Sequence, residues 1–388
     1  MGTNSRLKQK LRVAIVSERR ADYSRFKPIL SLMENDPFFD YKLIVTGISL
    51  LKNYGEDIKI IKRDGFKIAS VIPMFRENAP DSGAEMTRAY SRVMSGLSDV
   101  FEALKPDLVL TGFDIGANFS AAVVGAHMNI PVAHIQGGEI TGSIDESLRH
   151  ATSKFANIHF AATKEAANRI RRMGEDPRFI FVVGCPSIDV LVQSPVISRK
   201  NIMGMLKLNS EQPYVVIVQH SVTSEIDQAG WQITQTLEAV KEIGIQGVIF
   251  YPNNDAGTSA IISGIRNSHI SYIKSLSSEI FINVLRYSEA LIGNSSTGIH
   301  ETATLHVPTV NIGTRQQGRE RPKNVIDSSY QKEEIKNAIR KALYDKKFKE
   351  IVQNVKNPYG DGHSAERIIK ILKTIDIKNI PIQKRFID

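Results

Sequence analysis

Short runs rich in β-branched residues alternate with longer stretches of helical periodicity, and the alternation runs through the chain twice. No other feature limits the possible folds so strongly. Strands separated by helices of this length pair in parallel, with the helices covering both faces of the sheet. In the first pass, 13–17, 42–46, 107–111, 132–135, 159–162 and 179–183 read as strands. Between them, 24–34, 83–103, 117–127, 146–156 and 165–173 read as helices. Leu108, Val109 and Leu110 are apolar on both faces, as a strand inside such a sheet must be.

Periodicity fades across 193–212, where Ser, Lys and Asn accumulate, and then resumes. Residues 214–218, 247–251, 290–292 and 309–312 read as strands. Residues 234–243, 260–267, 298–305, 333–343 and 365–372 read as helices. The expected class is α/β, with two Rossmann-like, doubly wound domains at 1–192 and 213–360 joined by a linker at 193–212. Segment 361–388, a helix and tail, is expected to pack back on the first domain. Two such sheets leave a cleft between the carboxyl ends of their strands, where ligands bind.

The formal charge of +9 raises the question of an anionic partner. Much of the excess lies at the ends, in Arg6, Lys8, Lys10 and Arg12 and in the last stretch of chain. No base-reading motif or aromatic ladder accompanies it, so a nucleic-acid partner is not expected. No apolar stretch approaches a membrane span and no apolar leader follows the first residues, so neither a membrane partner nor secretion is expected. The single cysteine, Cys185, permits no disulfide within the chain and no cysteine cage for a metal. Both points suit a reducing cytoplasm. Cys185 follows the apolar run 179–183 and reads as a packed thiol.

The residues that follow strands carry the candidate chemistry. Ser295 and Ser296 lie between the strand 290–292 and a helix, where hydroxyls and backbone N–H groups suit a phosphate. Glu301, expected in the first turn or so of that helix, could accept both hydroxyls of a ribose. Ordinary capping explains the same pattern equally well. His220, Asn253 and Arg315 follow three other strands of this half. Arg319 and Arg321 add positive charge suited to a diphosphate, or to a solvated loop.

In the first half, Arg20 and Ser24 follow the first strand, where a phosphate or sugar would meet the first βα turn. The turn lacks G-x-G-x-x-G, so no dinucleotide cofactor is expected. His134, Gln136 and Glu139 leave the strand 132–135 together with Gly137 and Gly138, which permit close approach to the backbone. If the strand continues, His134 and Gln136 share a face. Ser143 and Glu146 form a capping-box pattern that puts Asp145 in the first helical turn, with Arg149 on the same face.

These residues resemble the hydrolysing UDP-N-acetylglucosamine 2-epimerases, above all those of the sialic-acid and legionaminic-acid branch. The motifs are RADYS at 20–24, HIQGGE at 134–139, GSIDESLRH at 142–150 and GCPS at 184–187. In the second half they are 219–223, YPNNDAG at 251–257, 293–296, NIGTRQQG at 311–318 and NPYGDG at 357–362. The resemblance spans 12–385. It implies a GT-B fold, no metal or other cofactor, a homodimer or homotetramer, and a nucleotide sugar as the small-molecule partner. The first domain then takes the sugar and the second the nucleotide. The implied reaction eliminates UDP from UDP-GlcNAc and adds water to the resulting 2-acetamidoglucal, releasing ManNAc. By resemblance, Ser295, Ser296, His220 and Arg315 meet the phosphates, Glu301 holds the ribose, Arg20 lies near the diphosphate and Asp145 is a catalytic acid.

One departure stands out. The family motif HIEGGE has Glu where this chain has Gln136. An amide cannot exchange a proton at useful pH, and losing one positioned proton-transfer group costs about 10²–10⁴ in rate. Ile115 also replaces a family Arg beside Asp114. Glu139 and Asp114 are then the candidates for the remaining proton transfers. The departure fits a member diverged toward another sugar nucleotide, such as a diacetamido-trideoxy sugar. It fits equally a near-isosteric Glu→Gln change that stalls turnover. The alternative functions are a GT-B glycosyltransferase and a non-epimerising nucleotide-sugar hydrolase or binder.

Overall fold

The computed structural model describes residues 10–80, 82–113 and 115–388. Arg6, Lys8 and Asp114 lie outside the described residues. Seven strands form the first sheet: β1 (Leu11–Ser17), β2 (Phe39–Thr46), β3 (Ile68–Ile72), β4 (Leu108–Gly112), β5 (Val132–Ile135), β6 (Ile158–Ala161) and β7 (Ile180–Val182). Six form the second: β8 (Tyr214–Val218), β9 (Gln246–Phe250), β10 (Ser271–Ile273), β11 (Leu291–Gly293), β12 (Thr309–Ile312) and β13 (Val325–Ser328). The orders are β3-β2-β1-β4-β5-β6-β7 and β10-β9-β8-β11-β12-β13. Every pairing is parallel. Both sheets are doubly wound and reverse direction beside their first strand, between β1 and β4 and between β8 and β11. Two such halves opening onto one cleft make the GT-B fold.

Each sheet is packed on both faces. On one side of the first, Phe26, Ile29 and Leu30 of the helix Arg20–Glu34 meet Val13 and Ile15. On the other, Val93, Leu97 and Phe101 of Gly83–Leu104 meet Ala14 and Val16. All ten side chains are at most 1% exposed, and fully burying one large aliphatic side chain stabilises by about 1.5–3 kcal/mol. The second sheet repeats the scheme around Ile217 and Ile249 on one face and Val216 and Val248 on the other.

The sequence pattern misses β3, β10 and β13. All three are sheet edges and none is buried throughout, so their apolar runs are weak. The linker segment 193–212 contains a helix that the sequence pattern does not show. Ser198 caps this helix, Arg199–Leu206, whose Ile202, Met203 and Leu206 enter the core beside β8 and β9. Two amphipathic turns within a polar stretch are too short to show a period. The helix Ser364–Thr374 lies against the first sheet's core through Ala365, Ile368 and Leu372, and its first N–H groups donate to Asp189. The tail beyond it is pinned by Lys384, which donates to the carbonyls of Ser153 and Ala156 and to Glu175. Cys185 is buried with Ile188, Ile299 and Tyr359, and burial pushes its thiol up to about 12. No described helix is long and apolar enough to cross a membrane.

Candidate functional site in the cleft between the sheets

The cleft is lined from both halves by residues that follow strand ends. Arg19, Arg20, Ser24, Arg25 and Asp145 come from the first half. His220, Asn253, Ser295, Ser296, Glu301, Arg315 and Arg319 come from the second.

The turn after β1 is built by an acid in place of glycines. Asp22 accepts the backbone N–H groups of Glu18, Arg19 and Tyr23, and burial raises its carboxyl to about 6. This folds the chain tightly enough to start the helix Arg20–Glu34 and aims Arg19 and Arg25 into the cleft. Arg20 also lines the cleft, but its guanidinium is engaged. Nη1 donates to Ser275 Oγ at 2.8 Å and to the Leu276 carbonyl at 2.9 Å, across the two halves. Ser24 Oγ donates to the carbonyl of Ala21.

The strand β5 stops at Ile135, so His134 and Gln136 do not share a strand face. Gln136 takes φ +60° in the left-handed region. His134 is spent inside the first half, between Ser153 Oγ and the carbonyl of Phe113. The glycines admit this half's own atoms: a Cβ on Gly138 would lie 2.3 Å from the Ala166 carbonyl oxygen. Gln136 is 2% exposed, and its Nε2–H donates to Glu139 Oε1 at 2.8 Å while its own Oε1 has no partner. Neither Gln136 nor Glu139 lines the cleft. Glu139 Oε2 sits 3.0 Å from His300 Nε2 and 3.2 Å from Arg319 Nε. Burial alone would raise this carboxyl; His300, with the guanidinium groups of Arg319 and Arg149, outweighs burial and holds it well below the usual carboxylate range. A carboxylate so engaged is poorly placed for proton transfer to a cleft ligand.

Ser143 caps the next helix, Ile144–Phe155, by accepting the N–H of Asp145. The second arm of the expected capping box is absent, because Glu146 accepts the N–H of Thr141 instead. Asp145 stands in the first turn as the pattern requires. Arg149 turns to the carbonyl of Glu139. Asp145 meets Arg315 of the opposite half, with Oδ2 3.3 Å from Nη2.

In the second half, Asn294 clamps His220 at both backbone groups, accepting its N–H at 2.7 Å and donating to its carbonyl at 2.9 Å. His220 Nδ1 accepts the N–H of Asn253. Burial, with Arg315 and Arg19 nearby, lowers its pKa well below the ordinary value. A neutral ring accepting at Nδ1 carries its proton on Nε2, which leaves one N–H for a ligand. Ser295 Oγ accepts the N–H of Thr297, whereas Ser296 makes no side-chain cap bond. The helix after them is only Thr297–His300, followed by turns, so Glu301 stands at its C-terminal end rather than in its first turn. Its Oε1 is 4.0 Å from Arg25 Nη2, and its buried Oε2 has no partner. Arg321 turns away to Asp327 and the carbonyl of Gln316.

The cleft also contains residues the sequence does not flag. Arg19, just before the flagged Arg20, and Arg25, on the next turn of the same helix, both line it. Phe281, Ile282 and Leu285 supply an apolar wall from the helix Ser278–Arg286, which follows the overlooked strand β10. Finding that strand would have pointed to them.

Residues 32–373 match the family model described as UDP-N-acetylglucosamine 2-epimerase. A Legionella pneumophila protein named UDP-N,N'-diacetylbacillosamine 2-epimerase (hydrolyzing) is 34% identical over 377 residues, covering 96% of this chain and 98% of that one. A Campylobacter jejuni protein named GDP/UDP-N,N'-diacetylbacillosamine 2-epimerase (hydrolyzing) is 31% identical over 388 residues, covering 98% and 99%. The fold is similar to the crystal structure of a Neisseria meningitidis UDP-GlcNAc 2-epimerase bound to UDP-GlcNAc, with a TM-score of 0.79 at 19% identity, covering 94% of this chain and 100% of that one.

Proposed function

The chain belongs to the UDP-N-acetylglucosamine 2-epimerase family, and from that premise we propose that it is a hydrolysing 2-epimerase of a UDP-linked 2-acetamido sugar. The observation that carries the reading is the 3.3 Å approach of Arg315 to Asp145 across the cleft. It puts a cation suited to a phosphate, from one half, beside a carboxylate from the other, so that a diphosphate and the sugar it bears would meet residues of both halves.

In this reading Ser295, Ser296, the Nε2–H of His220 and Arg315 hold the diphosphate. The unpaired Oε2 of Glu301 accepts the ribose hydroxyls, and the base lies against Phe281, Ile282 and Leu285. Until a phosphate enters, Arg315 neutralises Asp145. Once Arg315 turns to the phosphate, Asp145 is released for proton transfer at C2 of the sugar. Loss of the C2 proton with cleavage of the C1–O bond expels UDP and leaves a 2-acetamidoglucal. Water then adds its oxygen to C1, and a proton returns to C2 from the opposite face. The products are UDP and a sugar of inverted configuration at C2. The names of the relatives support a diacetamido-trideoxy sugar beside N-acetylglucosamine as the hexosamine.

Phosphorus NMR of the chain and of its Gln136→Glu form with UDP-GlcNAc, UDP-N,N'-diacetylbacillosamine and the GDP equivalent tests the proposal. UDP or GDP release with deuterium at C2 of the product in D₂O is expected. Absence of release from every sugar by both forms defeats it. Gln136 favours a second reading, a nucleotide-sugar binder without turnover, which predicts tight UDP binding and no release from either form.

A further inference from the structure

We propose that Glu139 is a positioning residue: its carboxylate latches the loop 136–142 of the first half onto the nucleotide-binding half, and it is not a proton-transfer group. The assignment of the second half to UDP rests on the function proposed above; the latch itself rests on geometry.

Glu139 is spent on contacts at both oxygens. Oε1 accepts the Gln136 amide N–H at 2.8 Å, and Oε2 accepts the His300 Nε2–H at 3.0 Å and forms an ion pair with Arg319 Nε at 3.2 Å. The two partners of Oε2 come from the opposite half and sit beside candidate nucleotide ligands. His300 precedes Glu301, and Arg319 shares its loop with Arg315. The side chains of Glu139, His300 and Arg319 are 4%, 1% and 3% exposed, so little water screens the charges or replaces a lost partner. The loop backbone is fastened within its own half, where Arg149 and Arg169 donate to the carbonyls of Glu139 and Gly138. Within 136–139 it is the Glu139 side chain that reaches across.

The neighbouring backbone interlocks at the same place. Gly142 N–H donates to the Arg315 carbonyl at 3.1 Å, and a Cβ on Gly142 would stand 2.0 Å from the Thr314 carbonyl oxygen. A single short stretch thus carries Gln136, the latch and Asp145, and it docks on the loop that carries Arg315. Their register across the cleft depends on the carboxylate between them.

The test uses the full chain with Glu139→Gln, Arg319→Met and the double variant. Amide exchange is followed across 136–146 and 313–319, and UDP affinity by calorimetry. The latch predicts exchange faster by about tenfold or more in both loops together, with the sheets unchanged. UDP affinity should change less than about threefold for Glu139→Gln, and the double variant should add little to either single one. In the Gln136→Glu background, kcat should fall about tenfold or more in Glu139→Gln while KM moves less than about threefold. Unchanged exchange in both loops overturns the proposal, as does turnover lost with the loops as protected as before. If Glu139→Gln does not fold, Arg319→Met carries the same comparison. If the unaltered chain binds no UDP, the functional reading fails while the exchange data still decide the latch.

Discussion

Gln136 gives its amide hydrogen to Glu139 at 2.8 Å, in the place where two carboxyl groups would have to share a proton. The amide stands in for the protonated member of such a pair. Gln136 therefore satisfies the geometry of the site while removing one titration from it.

Restoring that titration is the first prediction. Gln136→Glu should raise turnover by about 10²–10⁴, read as UDP release per minute. It should also make stability depend on pH. A carboxyl at 136 beside the anionic Glu139 has its folded pKa raised, so the folded state binds the extra proton more tightly than the unfolded chain. Stability then falls as pH rises above the unfolded value. The melting temperature of the variant should approach that of the unaltered chain near pH 4.5 and drop below it by pH 8.

Asp145→Asn should abolish turnover in the Gln136→Glu background yet leave UDP affinity unchanged or tighter. The reason is that Asp145 holds Arg315, the residue proposed to take the phosphate. Calorimetry with UDP checks this, and weaker binding would count against it.

Glu301→Gln should weaken UDP by about 10–100-fold, the worth of hydrogen bonds to a charged partner. Its effect on 2',3'-dideoxy-UDP should be small, because that ligand lacks the hydroxyls. Equal losses for both nucleotides would remove Glu301 from the ribose.

His220 is held neutral by burial and by Arg315 and Arg19. UDP affinity should therefore show no inflection near pH 6.5 attributable to this ring. A titration of the ring's carbon-bound protons by NMR between pH 5 and 8 should find the neutral form throughout.

The tail anchor should yield to acid. Burial alone would raise Glu175, but hydrogen bonds from His159, Lys154 and Lys384 outweigh it and pull its pKa down to about 2. Because the folded pKa lies below the unfolded one, the stabilisation is full above about pH 4.5 and lost as pH falls toward 2. Glu175→Gln should lower the melting temperature at pH 7 and converge with the unaltered chain near pH 2.5.

How far the sequence reached can be read from particular residues. Alternating periodicity determined both sheets, because a strand buried on two faces must be largely apolar, and β4 and β8 are buried throughout behind the runs Leu108–Leu110 and Tyr214–Val218. Position after a strand was enough to find His220, Ser296 and Arg315, since doubly wound sheets deliver such residues to one cleft, and a helix-capping pattern marked Asp145. The edge strands β3, β10 and β13 were illegible because half-buried edges carry little pattern, and with β10 went the apolar wall of Phe281. Which charges pair was decided only in three dimensions. Asp145 finds Arg315 from 170 positions away, and Glu139 finds His300 from 161. Local sequence sets where each turn points; the docking of one sheet's loops on the other's determines which acid each arginine meets, and so which carboxylates remain for chemistry.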